Sequence, residues 1–268
     1  MGDIRAADIL RRLNYPLKSL EVKKSVGSTN DEVLELFDPN DPEPVLCVSE
    51  KQTQGRGSFG KSWSSPAGGL YFSLAFVPRY YSLEQSGLIS LITSLCLSQA
   101  LEAIGLNTKV KWPNDIVVCK DLNSSKLSGM LLEHKHSKSS SVLLIGIGIN
   151  IHAQPLIEGP AHSLPAISLE ECGVTNLEAL RSEIVASFLN RFFATQEALE
   201  QSKIDTAHLI EQYNEKLLWR GDQVDVFSRQ GNLVGKAELI GAQSDGSIEL
   251  MLNHHKQRVY STEVLLRK

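Results

Sequence analysis

The sequence predicts an α+β protein: a largely antiparallel, mixed sheet with helices packed on it, followed by a small β-barrel. Between residues 108 and 149, strand-like segments follow one another without an intervening helix, which favours this class over an alternating α/β arrangement. The segments 88–104 and 175–199 carry apolar residues at helical spacing. After Gly221, short strand-like segments alternate with tight turns over about 48 residues, a pattern typical of a small barrel.

The first third of the chain contains five segments with a helix or strand pattern. They are a helix at Ile4–Leu13, strands at Glu21–Val26, Val45–Glu50 and Leu70–Val77, and a helix opened by the capping box Thr29-x-x-Glu32. The long segment Lys51–Gly69 between the second and third strands has neither periodicity.

In the middle of the chain, the spacing of apolar residues predicts one buried helix and four strands. They are the helix Leu88–Ile104 and the strands Thr108–Trp112, Ile116–Cys119, Lys126–Glu133 and Val142–Ile149. Polar turns are expected at Pro113–Asp115 and Asp121–Ser125, and a solvated loop, HKHSKSSS, at residues 134–141. The histidines of that loop lack a metal-ligand spacing and are interpreted as solvated.

Two further helices and the strands of the barrel complete the prediction. A capping box, Thr175-x-x-Glu178, opens a helix to about Leu199, and another helix covers Asp205–Leu218. The barrel strands are expected at Val224–Phe227, Leu233–Ile240, Ile248–Leu252 and Val259–Tyr260, with turns at Gly231-Asn232 and Asp245-Gly246. The chain is therefore expected to have two domains, 1–218 and 219–268.

Composition excludes several classes of protein. The 268 residues carry a net charge of −4, with 42% hydrophobic and 22% charged residues, so bulk attraction to nucleic acid or anionic membranes is not expected. The four widely spaced cysteines form no CxxC pair, which favours reduced thiols and a cytoplasmic location. The N-terminal residues lack the apolar core of a signal peptide. No apolar run is close in length to the roughly 18 residues that a membrane span needs.

The segment Lys51–Gly69, KQTQGRGSFGKSWSSPAGG, is the strongest candidate for a binding loop. Its glycines allow positive φ angles and close approach of the backbone to a ligand. Because Arg56 and Lys61 lie among them, backbone N–H groups and cations can face one anion together. The segment is not a Walker loop, and no helix follows its GxGxxG, so a dinucleotide fingerprint is excluded by context.

Four further motifs, taken together with this loop, indicate a function. They are Ser28-Thr29-Asn30, Lys111-Trp112-Pro113-Asn114-Asp115, Lys126-Leu127-Ser128-Gly129 and Gly146-Ile147-Gly148-Ile149-Asn150. In this order, and with the glycine loop, they resemble the biotin–protein ligase family from about Ser25 to the C-terminus. The motifs are specific in combination, although each alone is weak. The resemblance implies a class II synthetase-like catalytic domain followed by an SH3-like barrel.

The resemblance also implies an activity. Biotin would be activated by ATP as biotinyl-5′-AMP, with Mg²⁺ as the activator, and then transferred to a lysine of a biotin carboxyl carrier domain. Two anions meet in the first step, so cations must offset their repulsion. The expected partners are biotin, ATP and the carrier, and binding to specific DNA or to a membrane is not expected. The oligomeric state is left as either a monomer or a homodimer.

The resemblance assigns roles to particular residues. Lys126 and Arg56 are the implied catalytic cations at the junction of carboxylate and α-phosphate. The residues implied to bind biotin are Ser28, Thr29, Asn30, Gln52, Gly55, Arg56, Gly57, Ser58, Lys126, Gly129, Gly146 and Gly148. The residues implied to bind ATP or the adenylate are Lys61, Trp63, Lys111, Asn114, Asp115 and Asn150. Asp115 is also a candidate Mg²⁺ ligand, or alternatively a group that orients a lysine.

The glycine loop departs from the family pattern. The family usually has Gly-Arg-Gly-Arg-x-Gly-Arg, whereas this chain has Ser58 and Lys61 at the second and third arginine positions. Arginine binds a phosphate with two parallel hydrogen bonds, whereas lysine is a point charge and serine is neutral. The resemblance therefore supports activation of biotin but leaves the retention of the adenylate in doubt.

Each motif also has a plainer interpretation. Lys126 could be an exposed lysine at a strand end, Trp63 a core anchor of the loop, and Pro-Asn-Asp an ordinary turn. Two other functions compete: a lipoate or octanoate transferase or ligase on the same fold, and a biotin-sensing transcriptional repressor. The lipoate enzymes lack this combination of glycine loop and Lys-Trp-Pro-Asn-Asp. In this sequence, 27 residues precede the Ser-Thr-Asn motif, fewer than a winged helix-turn-helix needs, so DNA binding is not expected.

Overall fold

The computed structural model describes residues 4–78, 85–120, 123–136, 141–152 and 164–268. A seven-stranded mixed sheet forms its larger part, with the strand order β1-β2-β3-β7-β6-β5-β4. Only β1 and β2 pair in parallel, and the other neighbours are antiparallel. The strands are β1 (Ser19–Lys23), β2 (Val45–Ser49), β3 (Leu70–Phe76), β4 (Thr108–Lys111), β5 (Asp115–Lys120), β6 (Asn123–His136) and β7 (Ser141–Ile149).

Helices cover both faces of this sheet. They are α1 (Ala6–Leu10), α2 (Thr29–Leu36), α3 (Ser86–Glu102), α4 (Leu177–Glu200) and α5 (Thr206–Lys216). In β2, Leu46 and Val48 join the main core with α3 and α4, whereas Val45 and Cys47 face the smaller cluster around α2. Because every residue of β2 and β3 is buried, these strands read as continuous apolar runs. Among the described residues, no helix is both long and apolar enough to cross a membrane.

The C-terminal part is a second, antiparallel sheet with the order β11-β10-β9-β8-β12. Its strands are β8 (Gln223–Ser228), β9 (Leu233–Ala242), β10 (Ile248–Leu252), β11 (His255–Val259) and β12 (Val264–Arg267). The edge strands β11 and β12 are not paired with each other, so the expected closed barrel is an open, SH3-like sheet. The predicted turns at Gly231 and Gly246 are confirmed, and both glycines have positive φ angles. The domain boundary at 218/219 remains a prediction.

The two sheets are held together by contacts at one end of β4. Trp112 donates a hydrogen bond from Nε1 to the Gly246 carbonyl at 3.0 Å, and the Leu218 N–H donates to the Val110 carbonyl at 2.8 Å. The backbones of Gly87 and Gly246 are also close, because a Cβ built on Gly246 would lie 2.3 Å from Gly87 Cα. The C-terminal sheet is thus fixed beside the Lys-Trp-Pro-Asn-Asp motif.

Several local predictions are corrected by the structure. The N-terminal helix is only Ala6–Leu10, and the first strand is Ser19–Lys23. Neither capping box forms, since Ser28 and Asn176 occupy the cap positions of α2 and α4 without side-chain cap hydrogen bonds. Asn123 to Ser125 belong to β6 rather than to a turn, while residues 121, 122 and 137–140 of the predicted turn and loop lie outside the described residues. The last predicted barrel strand, Val259–Tyr260, lies only at the end of β11 (His255–Val259), and β12 (Val264–Arg267) was not predicted.

Candidate active site

The candidate site is a cavity of about 640 Å³ between the glycine loop, the strands β5–β7 and the C-terminal sheet. Most of the sequence-predicted site residues line it: Ser28, Thr29, Asn30, Gln52, Arg56, Gly57, Ser58, Lys61, Trp63, Lys111, Asn114, Asp115, Lys126, Gly129, Gly146 and Gly148. Gly55 and Asn150 are not part of the lining. The motifs are distant in sequence, and the antiparallel register of β5, β6 and β7 brings them together.

One wall of the cavity is a network of neutral hydrogen bonds at the start of α2. Gln52 Oε1 accepts from the N–H of Thr29 at 2.8 Å and from its hydroxyl at 3.1 Å, and Gln52 Nε2 donates to Ser65 Oγ at 2.9 Å. Ser73 Oγ lies 2.7 Å from Thr29 Oγ1 and 2.5 Å from Asn30 Oδ1. The Thr29 hydroxyl therefore fixes Gln52 at the site and does not cap the helix, which is why the capping prediction is wrong.

Arg56 is neutralised by two carboxylates that sequence reasoning missed. Its guanidinium donates two hydrogen bonds to Asp31, each 2.7 Å long, and a third to Glu133 Oε2 at 3.1 Å. The hydrogen bonds from Arg56 hold the pKa of Asp31 below its ordinary value. Burial raises the pKa of Glu133, but hydrogen bonds from Asn30 and Arg56 outweigh it and keep that pKa below its ordinary value. Asp31 directly follows the Ser-Thr-Asn motif, but no local pattern links it to Arg56, which is 25 residues away.

Lys126 is held by a carboxylate and an aromatic ring. Its Nζ lies 2.6 Å from Asp115 Oδ1 and 4.9 Å from the centre of the Trp63 ring. Of the two alternatives for Asp115, the structure therefore contains the one in which it orients a lysine. The amine is half-buried and lines the cavity, so Lys126 is not an exposed lysine at a strand end.

Trp63 packs against the glycines of β6 and β7. A Cβ built on Gly148 would lie 2.6 Å from Trp63 Nε1, and one built on Gly129 would lie 3.1 Å from Cζ3. Since atoms cannot approach this closely, glycine is needed at position 148 for the indole to lie there. Trp63 Nε1 is buried against Gly148 and has no hydrogen-bond partner among the described residues.

The other predicted glycines and Asn150 have mainly structural contacts. A Cβ on Gly146 would lie 2.4 Å from Asn30 Oδ1, and one on Gly55 would lie 2.5 Å from Ser65 Oγ. Asn150 Nδ2 donates to the Ile167 carbonyl at 3.0 Å and to the Lys126 carbonyl at 3.4 Å. Asn150 therefore positions the segment that follows residue 163 and the strand carrying Lys126, and its direct contact with the adenylate remains a prediction.

The far end of the cavity is rich in cations. Lys61, Lys111, Arg229 and Arg267 line it, and the last two come from the C-terminal sheet and were missed by sequence reasoning. Burial lowers the pKa of Lys111, and the positive charges of Lys126, Arg267 and Lys61 lower it further against the attraction of Asp115. Such a cluster of like charges is suited to a polyanion such as a nucleotide phosphate chain.

The Pro-Asn-Asp turn is tied to the glycine loop. Asn114 Nδ2 donates to Ser58 Oγ at 2.9 Å and to the Met130 carbonyl at 2.5 Å. Serine at this loop position thus bridges to the β4–β5 turn. Asp115 is the one carboxylate among the described residues of the lining, and one carboxylate together with phosphate oxygens is a usual ligand set for Mg²⁺. A Mg²⁺ that arrives with ATP would have this carboxylate as its protein ligand, beside the ion pair of Asp115 with Lys126.

Known proteins are similar to this chain over part or most of its length. The model of the biotin/lipoate A/B protein ligase family matches residues 22–150. The bifunctional ligase/repressor BirA of Bacillus subtilis is 28% identical over 246 residues, which cover 90% of this chain and 72% of that protein. The biotin–[acetyl-CoA-carboxylase] ligase of Paracoccus denitrificans is 34% identical over 132 residues, 48% of this chain and 52% of that protein. The biotin protein ligase of Aquifex aeolicus, solved with biotin and ATP, superposes with a TM-score of 0.71 at 27% identity, over 94% of this chain and all of that one.

The match over residues 22–150 thus defines a ligase domain of the biotin/lipoate A/B type. Within that type, the chain is similar to biotin–protein ligases, whose solved Aquifex aeolicus structures superpose over 94% of this chain. The resemblance drawn from the motifs is confirmed.

Proposed function

We propose that this chain is an ATP-dependent biotin–protein ligase that forms biotinyl-5′-AMP and transfers biotin to a lysine of a biotin carboxyl carrier domain. The observation that carries the proposal is the position of Lys126, which lies in the cavity between Asp115 and Trp63. Similarity to biotin–protein ligases, and the biotin and ATP of the Aquifex aeolicus complex, support the substrates. We also propose a cytoplasmic location, which the four unpaired cysteines support.

In the first step, a biotin carboxylate oxygen attacks the α-phosphorus of ATP, and the bond to the β-phosphate oxygen breaks to release pyrophosphate. Negative charge accumulates where the two anions meet, so a fixed cation at that point lowers the barrier. Lys126 supplies this charge, because Asp115 and the Trp63 ring fix its Nζ from two sides. Mg²⁺ bound with ATP would neutralise further phosphate charge, and Asp115 is the carboxylate of the described lining that would hold it.

In the second step, the amine of the acceptor lysine attacks the carbonyl carbon of the mixed anhydride, and AMP leaves. The anhydride must be protected from water until that amine arrives. Trp63 and the glycine loop are placed to cover it, since both line the cavity above the strands β6 and β7. Arg56 fixes the loop through Asp31 and Glu133 rather than presenting an unpaired charge.

The proposal is tested by incubating the protein with biotin, Mg-ATP and a carrier domain, and measuring the intact mass of the carrier. We expect the addition of one biotinyl group, and none on a carrier whose target lysine is replaced by arginine. ATP–pyrophosphate exchange with biotin and with lipoate then separates the two branches of the family. Exchange that depends on lipoate and not on biotin would overturn the proposal.

A further inference from the structure

Arg229 of the C-terminal sheet reaches the glycine loop. It directly follows β8, in the turn closed by hydrogen bonds from Gly231 N–H to the Ser228 carbonyl (2.9 Å) and from Ser228 N–H to the Asn232 carbonyl (2.8 Å). Its guanidinium carbon lies 3.7 Å from the centre of the Phe59 ring. Since both residues line the cavity, a charge from the C-terminal sheet lies beside the loop residue that follows Ser58.

Phe59 is held in a conformation that favours this contact. Its φ and ψ angles are 60° and 39°, in the left-handed region, which is unusual for a bulky residue and often marks a functional constraint. The ring is 55% exposed, so burial in the core does not explain its position. A guanidinium stacked on an aromatic face keeps its N–H edge available for an anion.

The charge of Arg229 is not neutralised within the part of the chain that the structure describes. Arg229 has no ion pair there, and its buried Nε has no hydrogen-bond partner. Burial lowers the pKa of Arg229, with no carboxylate acting against it. Arg56, in contrast, is paired with Asp31 and Glu133. A half-buried cation without a counter-ion, in a cavity suited to ATP, is a candidate phosphate ligand.

We propose that Arg229 binds a phosphate of ATP and of the biotinyl-adenylate, and so supplies from the C-terminal sheet the guanidinium that the glycine loop lacks at Ser58. Ser58 cannot supply this charge, because its hydroxyl is neutral and accepts a hydrogen bond from Asn114. Stacking on Phe59 orients the guanidinium beside the loop. The inference rests on the proposed function, and it adds a specific nucleotide ligand and a link between the two sheets.

The test is titration calorimetry with adenosine, AMP and ATP on the whole chain. For Arg229→Gln we expect the ATP affinity to fall at least about tenfold, since hydrogen bonds to charged groups contribute about 1.5–3 kcal/mol and 1.4 kcal/mol is a factor of ten. Adenosine should bind unchanged, because it has no phosphate. Arg229→Lys retains a positive charge but lacks the planar guanidinium and its stacking on Phe59. Its ATP affinity should therefore fall less than that of Arg229→Gln. Ser58→Arg in the Arg229→Gln protein should restore ATP affinity.

The matched control is Arg258→Gln, a 58% exposed arginine on β11 of the same sheet, which should bind all three compounds as the unaltered protein does. Equal ATP affinity in the Arg229→Gln and Arg258→Gln variants would overturn the assignment. So would a parallel loss of adenosine affinity, which indicates a packing role. If Arg229→Gln does not fold, ATP affinity of Arg229→Lys equal to that of the unaltered protein decides against a guanidinium contact. If the unaltered protein binds ATP but does not exchange pyrophosphate with biotin, the proposed function fails while the phosphate assignment stands.

Discussion

Lys126 Nζ lies 2.6 Å from Asp115 Oδ1, so the Lys-Leu-Ser-Gly and Lys-Trp-Pro-Asn-Asp motifs meet in one ion pair. The pair joins neighbouring strands, because Asp115 begins β5 and Lys126 lies on β6. The strand register shifts between Ile116 and Val117. The pair fixes the lysine in the lining of the cavity, and the first prediction depends on that position.

Replacing Lys126 with alanine should nearly abolish adenylate formation and leave the fold intact. The change removes the cation at the carboxylate–phosphate junction, and loss of a single stabilising donor typically lowers the rate by about 10²–10³. Biotin-dependent ATP–pyrophosphate exchange measures the effect, and the thermal midpoint checks the fold. Lys120→Ala, an exposed lysine at the end of β5, is the control. Near-normal exchange in Lys126→Ala would refute the role.

The contact between Gly87 and Gly246 should be necessary for docking of the C-terminal sheet. Gly246→Ala and Gly231→Ala both place a side chain at positive φ, but only the first meets the backbone, 2.3 Å from Gly87 Cα. The positive φ costs about 1–2 kcal/mol at either site, and the overlap adds about 1–3 kcal/mol at Gly246. Urea unfolding measures the difference, and pyrophosphate exchange should fall mainly in Gly246→Ala. Equal effects of the two variants would show that the contact is dispensable.

Removal of residues 221–268 should impair biotinylation more than these point changes. The C-terminal sheet contributes Arg229 and the strand Val264–Arg267 to the cavity lining, and Trp112 loses its hydrogen bond to Gly246. Carrier biotinylation by the truncated protein is measured together with its circular dichroism. A folded truncation with full activity would mean that the sheet is an independent module.

As pH rises, the affinity for ATP should begin to fall at a lower pH than the deprotonation of an ordinary lysine would produce. Burial lowers the pKa of Lys111, whose protonated form attracts phosphate. As pH rises through this lowered pKa, the charge is lost below the ordinary lysine value of about 10.4. Calorimetric titration between neutral and alkaline pH measures the midpoint. In Lys111→Met this component of the pH dependence should disappear, and an unchanged midpoint would contradict the assignment.

Ser58→Arg should slow the release of biotinyl-adenylate without abolishing activation. An arginine at this position adds a charge-assisted, bidentate contact in place of a neutral one, so we expect release about tenfold slower. Filter binding of preformed adenylate compares the rates in the unaltered protein and in Arg229→Gln, where the added arginine should have the larger effect. Equal rates with and without the arginine in both backgrounds would show that a guanidinium at position 58 does not reach the phosphate.

The sequence alone determined the class of the protein. The apolar runs of β2, β3 and β7 and the helical spacing in α3 and α4 predicted the catalytic fold. Burial of a strand on both faces requires a continuous apolar run, and burial of one helix face requires apolar residues at helical spacing. The order of the motifs predicted the family and most of the cavity lining. Local patterns carry this information, since glycines at close approaches and polar residues at strand ends are visible in the sequence itself.

Only the tertiary structure decided which groups pair. Asp31 and Glu133 neutralise Arg56 across 25 and 77 residues of sequence, and the hydroxyl of Thr29 turns from a cap to Gln52. The C-terminal sheet brings Arg229 to Phe59 from 170 positions away (229 − 59). The strength of an ion pair depends on the distance between the two groups in the folded chain, not on their separation in sequence. No local sequence pattern therefore indicates which cation has no carboxylate partner and is available to bind phosphate.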